Sequence, residues 1–239
     1  AWYYFDGEGV PVTNKWQTLS DSRLVYYLAN GQQARGDQTV DGVQLHFNNS
    51  GVPDNGGWDF TDYQYVAKMR QRAIANGSDT DWYITLDCDY PPRDIVFRRV
   101  SGTWVAVAGY NAIQGYWREG GSRTIPGVHK VTHKYYESVS GPGRIIGFVA
   151  NWLGGVVSPE TDDSQAIHAG NDANNAGYGT YGCSSLSLEH DQWIYDNVPV
   201  DSTVDATGSC RGVDGDDRRI VSPYPNSDFN LDNHPYGQD

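Results

Sequence analysis

Two short stretches decide how this chain reads: Ile167-His168-Ala169-Gly170 and Thr180-Tyr181-Gly182-Cys183-Ser184-Ser185-Leu186, joined by a Gly/Asn-rich loop. A histidine and a cysteine each stand beside small residues, 183 − 168 = 15 positions apart. If the flanking strands lie side by side, the imidazole comes within reach of the thiol. A free thiol has a pKa near 8.5, so only a few per cent is thiolate at neutral pH. A histidine within hydrogen-bond reach raises that fraction or takes the proton during attack. Gly182 lets the backbone turn sharply beside the sulfur, and the N–H groups of Gly182 and Cys183 are expected to stabilise an oxyanion there.

Outward from this stretch the pattern is one of strands. Upstream, Tyr83–Leu86, Ile95–Val100 and Thr103–Val107 alternate or run apolar, with a hairpin turn at Ser101-Gly102. Further strands are expected over residues 127–132, 144–151 and 165–168, a short helix over 189–197, and a closing strand over 200–204. After Asp205 the chain is polar and rich in Gly, Asp and Pro, and reads as a tail. Asp214-Gly215-Asp216-Asp217 lacks the full twelve-residue calcium-loop pattern and reads as a solvated acidic turn. Between residues 61 and 78 lies a helix: Thr61 with Gln64 forms a capping box, and Tyr65, Val66, Met69, Ala73 and Ile74 share one face, before a stop at Asn76-Gly77.

The first 60 residues repeat at about twenty-residue spacing. Trp2-Tyr3-Tyr4-Phe5-Asp6 leads to Gly9 and Trp16-Gln17-Thr18; Val25-Tyr26-Tyr27-Leu28 leads to Gly31 and Asp37-Gln38-Thr39; Gln44-Leu45-His46-Phe47 leads to Gly51 and Trp58. Each unit reads as aromatic strand, Asx/Gly turn and second short strand. One hairpin cannot bury its aromatic face, so neighbours are expected to stack. The composition agrees: 17 Tyr, 8 Trp and 28 Gly against a single Met suit a turn-rich β protein. A net charge of −13 argues against nucleic acid or anionic lipid as partner. No apolar run reaches the roughly 18–20 residues of a membrane-spanning helix; the sequence opens directly on Ala1-Trp2 without a signal-peptide pattern, and is expected to start inside a longer precursor or at an expression boundary. Three cysteines cannot all pair within one chain; a Cys88–Cys210 bridge with Cys183 free is one solution, and three reduced thiols is another.

The repeats resemble the cell-wall-binding repeats of choline-binding and glucan-binding proteins, whose pattern is close to Trp-Tyr-Tyr-Phe-Asp…Gly…Val-x-Thr-Gly-Trp-Gln. The first unit matches well and the other two are degenerate. The resemblance implies a choline or glycan wall polymer as ligand, held by Trp2, Tyr4, Trp16, Tyr27 and Trp58 through cation–π contact or sugar stacking. The alternative is that these aromatics form the repeat core.

Residues 79–205 resemble the L,D-transpeptidase (YkuD-type) catalytic domain. The landmarks run in order: Tyr83–Leu86 as the opening strand, Thr124-Ile125-Pro126-Gly127-Val128-His129-Lys130-Val131, then Ile167-His168-Ala169-Gly170, Thr180-Tyr181-Gly182-Cys183, and Asp191–Pro199 with its Tyr-Asp-Asn-Val-Pro close. The resemblance implies a mainly β fold: hairpin repeats over 1–60, a linker helix over 61–78, a β-sandwich catalytic domain with short helices over 79–205, and a tail over 206–239. It implies Cys183 as nucleophile and His168 as base, with a carbonyl of Ala169 or Gly170 orienting the imidazole. Tyr181 serves as substrate hydroxyl donor or wall, and Thr180, Ser184, Ser185, Ala169 and Gly170 line the substrate site. Two positions depart from the family pattern. Tyr181 stands where a histidine is usual, and Ser185 where Arg or Asn is usual.

The activity this implies is peptidoglycan L,D-transpeptidation: acyl transfer from a tetrapeptide stem through Cys183 to a neighbouring stem, forming a 3→3 cross-link in a secreted, wall-associated enzyme. Resolution by water would make it an L,D-carboxypeptidase; a decayed site would leave a wall-binding protein, which the two departures motivate. No cofactor is expected. No metal is expected either, because no Cys-x-x-Cys accompanies Cys183 and His129 and His133 stand apart from any cysteine pattern. His46 is expected to be a packed ring, and His190 and His234 surface residues.

Overall fold

The computed structural model describes residues 2–89, 92–116, 127–134, 146–150, 165–169 and 179–208. Within them the strands are β1 Lys15–Thr18, β2 Leu24–Tyr27, β3 Gly36–Val40, β4 Val43–Phe47, β5 Gly57–Trp58, β6 Trp82–Asp87, β7 Arg93–Val100, β8 Thr103–Asn111 and β9 Ile113–Tyr116. They continue as β10 Gly127–His133, β11 Ile146–Ala150, β12 Gln165–Ala169, β13 Gly179–Leu186 and β14 Thr203–Thr207, with helices α1 Tyr63–Asn76 and α2 Leu188–Asn197. The fold is mainly β. Helix α1 lies within the expected 61–78 span, whereas the aromatic strand expected at Trp2–Phe5 is reduced to a bridge at Phe5. Strand β14 starts later than expected and runs through Thr207, past Asp205; His234, Asp214–Asp217 and Gly170 lie outside the described residues.

Two compact units share the chain: residues 1–83 with 95–109, and residues 84–94 with 110–239. The division falls inside β6, β7 and β8.

In the first unit β1 pairs antiparallel with β2 (Trp16 opposite Tyr26) and β3 with β4 (Gln38 opposite Leu45). Each hairpin therefore joins the strand that closes one sequence repeat to the strand that opens the next. The repeat itself is written in the corner hydrogen bonds. Asp6 N–H donates to Val10 O and Gly9 N–H to Asp6 O; Leu28 to Gln32 and Gly31 to Leu28; Asn48 to Val52 and Gly51 to Asn48. Each corner is closed by an isolated bridge, Phe5–Pro11, Tyr27–Gln33 and Phe47–Pro53. Gly51 turns with φ +75°, a conformation that favours glycine, and an added Cβ there would have to push aside the side-chain ends of Arg35 and Gln33.

Helix α1 is capped by Asp62, whose carboxylate accepts from Tyr65 N at 3.0 Å; the cap is one residue beyond the Thr61 box read from the sequence. Its Met69 and Ala73 are buried among Tyr83, Ile95, Phe97, Trp104 and Ala106, with Trp58, Phe60, Tyr65 and Val66 around them. Ile74, expected on that face, is 58% exposed. The strand order beside it is β5-β8-β7, with β5 parallel to β8 and Gly109 pressed against the Trp58 ring.

The second unit carries the strand order β6-β14-β10-β11-β12-β13-β9. Its core includes Ile84, Leu86, Tyr110, Val131, Ile167, Leu186, Ile194 and Val204, all at or below 1% exposure. Helix α2 follows β13 directly. Ser187 caps it, accepting from His190 N at 3.2 Å, and Glu189 and Asp191 in the first turn suit the positive end of the helix dipole.

Candidate active site

Strands β12 and β13 run side by side and parallel, with Ile167 opposite Ser184, His168 opposite Ser185 and Ala169 opposite Leu186. Ser185 is the register partner of His168, and Cys183 stands two residues before Ser185 along β13. The 15-residue spacing in sequence becomes an offset of two residues across the ladder.

Cys183 itself lies in an irregular stretch. Toward β9, the ladder passes from Gly179 opposite Tyr116 to Ser184 opposite Gln114. Five steps on β13 answer two on β9, so β13 carries three extra residues around Thr180, Tyr181, Gly182 and Cys183. Such a bulge re-aims side chains and releases backbone groups from the ladder. On the other side, Ala166 N–H donates to Cys183 Sγ at 3.3 Å. Burial pushes the Cys183 thiol above its ordinary range, and the Ala166 amide opposes that shift in part. The residue keeps some exposed surface, but its sulfur is well desolvated, so the resting group is a neutral thiol.

The opposite face of β13 is anchored inward. Ser184 Oγ donates to Asp94 Oδ2 at 2.6 Å, and both residues are fully buried. Ser184, expected at the substrate, is thus engaged by Asp94 in the interior. Ser185 is 5% exposed. His190, expected at the surface, is half-buried and stacks on the buried Tyr110 ring at 4.0 Å and 14°. Lys134 holds the far end of α2: its Nζ donates to Val198 O at 3.0 Å and lies 4.8 Å from the Tyr195 ring centroid.

Cys183 is a free thiol and Cys88 is disulfide-bonded; Cys210 lies outside the described residues. Among the described residues no group of three or more His, Cys, Asp or Glu side chains could hold a metal ion.

The five aromatics expected to hold a wall ligand are dispersed within the first unit. Trp16 and Tyr27 are buried, Trp16 edge-on to Tyr26 at 5.0 Å and stacked on Phe47 at 6.0 Å. Trp58 is half-buried, and its Nε1 donates to Pro53 O at 2.8 Å. Trp2 and Tyr4 remain exposed, with Tyr3 and Phe5 between and beside them. Tyr4 reaches the Tyr27 ring at 6.0 Å. His46, expected to be packed, projects outward and bonds Asp37 Oδ1 at 2.7 Å. Sequence reading missed Asp94, Ala166 and Tyr110, since nothing local marks them.

Comparison with known proteins identifies residues 94–205 as a match to the YkuD family model, the L,D-transpeptidase catalytic domain. A comparison with curated proteins found no match. Among solved structures the chain is similar to a fused Zn-dependent amidase/peptidase/peptidoglycan-binding protein from Clostridium acetobutylicum (17% identity, 68% of this chain and 67% of that one, TM-score 0.43). It is also similar to an L,D-transpeptidase from Stackebrandtia nassauensis (16% identity, 57% and 63%, TM-score 0.37). A third is the cell-wall endolysin of phage Cp-1 complexed with choline (18% identity, 51% and 25%, TM-score 0.23). The chain spans 63% of the Stackebrandtia protein and a quarter of the endolysin. These likenesses are loose and carry no argument; what stands is the match of residues 94–205 to the family model.

Proposed function

We propose that this protein is a wall-associated L,D-transpeptidase acting on peptidoglycan stem peptides, with Cys183 as nucleophile and His168 as general base. The observation that supports the reading is the parallel β12–β13 pairing, which sets the strands bearing His168 and Cys183 side by side within the residues that match the family model. The thiol, held neutral by burial, gives its proton to His168 as sulfur attacks the carbonyl carbon of the third stem residue. Developing negative charge on that oxygen meets N–H groups released by the irregularity around Gly182 and Cys183. The C–N bond breaks, the imidazolium returns the proton to the departing D-Ala amine, and a thioester remains on Cys183. An amine on the third residue of a second stem then attacks, loses a proton to His168, and expels the thiol as the 3→3 link forms. Water in place of that amine gives the carboxypeptidase outcome.

The exposed Trp2–Phe5 segment is the part of the repeats that supports wall attachment to choline or glycan, since stacking requires accessible rings. The disulfide at Cys88 fits an oxidising, extracytoplasmic setting. Among the described residues no helix is long and apolar enough to cross a membrane.

The test is covalent. A carbapenem offers a strained acyl group, so the full chain should gain one carbapenem mass, on Cys183, and Cys183→Ala should gain none. His168→Ala should acylate about 10²–10⁴-fold more slowly. With a disaccharide-tetrapeptide as substrate, a cross-linked dimer plus free D-Ala is expected; a shortened stem without dimer marks the carboxypeptidase, and no adduct with either reagent marks the decayed site.

A further inference from the structure

Three extra residues of β13 lie between Gly179 and Ser184, so the register toward β9 is irregular over the segment that carries Tyr181, Gly182 and Cys183. Regular pairing resumes at Ser184, which is opposite Gln114 on one side and Ile167 on the other. A side-chain anchor enters at the same residue. The Ser184 hydroxyl donates to Asp94 Oδ2 at 2.6 Å, with both residues at 0% exposure. The distance is at the short end of the range for a hydroxyl donor. It ties β13 to the start of β7 across 90 residues of sequence.

We propose that Asp94 is a positioning residue for the nucleophile. Through the Ser184 hydroxyl it fixes the first regular residue after the irregular stretch, and so sets the height and direction of the Cys183 sulfur beside His168. Ser184 and Asp94 are both fully buried, so the carboxylate meets no substrate and acts through chain geometry alone. The inference rests on the reading of Cys183 as the acylated nucleophile.

Acyl transfer is sensitive to such placement: a displacement near 1 Å costs about 100-fold in rate. Alkylation by iodoacetamide needs the same sulfur but no oxyanion geometry. The experiment measures, on the full 239-residue chain, the rate of carbapenem acylation of Cys183, the rate of its alkylation by iodoacetamide, and the thermal midpoint. The variants are Asp94→Ala, Ser184→Val and Ser184→Thr. Asp94→Ala and Ser184→Val should acylate about 100-fold more slowly while alkylation stays within about threefold of wild type. Ser184→Thr keeps the hydroxyl and should restore acylation to within about threefold. If Asp94→Ala does not fold, Ser184→Val and Ser184→Thr carry the comparison. A purely structural role would make alkylation faster as the site loosens, with acylation and thermal midpoint falling together, and would overturn the proposal. So would wild-type acylation rates in Ser184→Val, with the nucleophile reading left standing. A wild-type chain that iodoacetamide labels at Cys183 but a carbapenem does not acylate removes that reading, and this proposal with it.

Discussion

At Cys183, two opposing effects meet on one sulfur. Burial penalises the thiolate, while the Ala166 amide at 3.3 Å favours it, and burial is the larger effect. On the proposed reading, such a thiol would lose its proton during attack rather than before it, the regime in which a neighbouring base matters most. Alkylation of Cys183 by iodoacetamide, followed against pH, should therefore reach its midpoint above the value of about 8.5 typical of a free cysteine. In urea the midpoint should return to that value. Thiolate absorbance near 240 nm should be missing at neutral pH in the folded chain; its presence there would mean a preformed ion pair instead. The residues of this site were unequally legible. His168 and Cys183 stand out because each is flanked by small residues in a strand-like run. Asp94 does not, because its partner Ser184 is 90 positions away and an isolated Asp-Ile step says nothing of what it meets. Ser184 looked like a substrate contact only because it adjoins the nucleophile; its hydroxyl is engaged by Asp94 in the interior instead.

Among the elements, the β3–β4 hairpin shows what period-two reading gives and where it was passed over. Leu45 and Phe47 are buried at 2% and 1%, so His46 between them points outward by alternation alone. It sits directly opposite Asp37 in the register and bonds its carboxylate. That hydrogen bond raises the His46 pKa above its ordinary value, with the Asp54 and Asp37 charges helping against a smaller desolvation effect. The sign follows from linkage. A raised folded pKa means the protonated pair stabilises the hairpin fully below the unfolded value of about 6.5, and that contribution is lost as pH rises through the folded value. In a proton NMR titration the His46 midpoint should lie above about 6.5, and Asp37→Asn should bring it back toward that figure. Amide exchange protection in β3 and β4 should weaken over the same interval in the wild type and not in the variant. An unshifted midpoint in the wild type would deny the pair. Boundaries were harder to read than existence: the cap of α1 moved from Thr61 to Asp62 because either side chain can supply the oxygen, and the repeats pair across their own sequence borders because strand partners are chosen in space.

For the whole molecule, composition and packing divide the chain differently. Composition changes near residue 79, where aromatic repeats and an amphipathic helix give way to strands. The core of the first unit takes no notice of that change. Met69 and Ala73 of α1 are buried against Tyr83, Ile95, Phe97, Trp104 and Ala106, with Trp58, Phe60, Tyr65 and Val66 completing the cover. No sequence pattern announces this, because amphipathicity tells that a helix has an apolar face without telling what the face covers. A fragment beginning at residue 79 would carry β6, β7 and β8 but lose all six covering side chains from 58 to 73. Uncovering a buried Tyr, Ile, Phe and Trp forfeits about 1.5–3 kcal/mol for each large apolar side chain, against a total stability of about 5–15 kcal/mol for a domain. Such a fragment should therefore express as aggregate, or as a compact species that binds 8-anilinonaphthalene sulfonate and lacks near-ultraviolet dichroism. The same strands with α1 restored, in a fragment from residue 54 onward, should recover the aromatic dichroism and a cooperative melt. Were the fragment from 79 to melt cooperatively and acylate with a carbapenem at the rate of the full chain, the helix and the strands it covers would have to be energetically independent of the catalytic half, and the core described around Met69 would be dispensable to it.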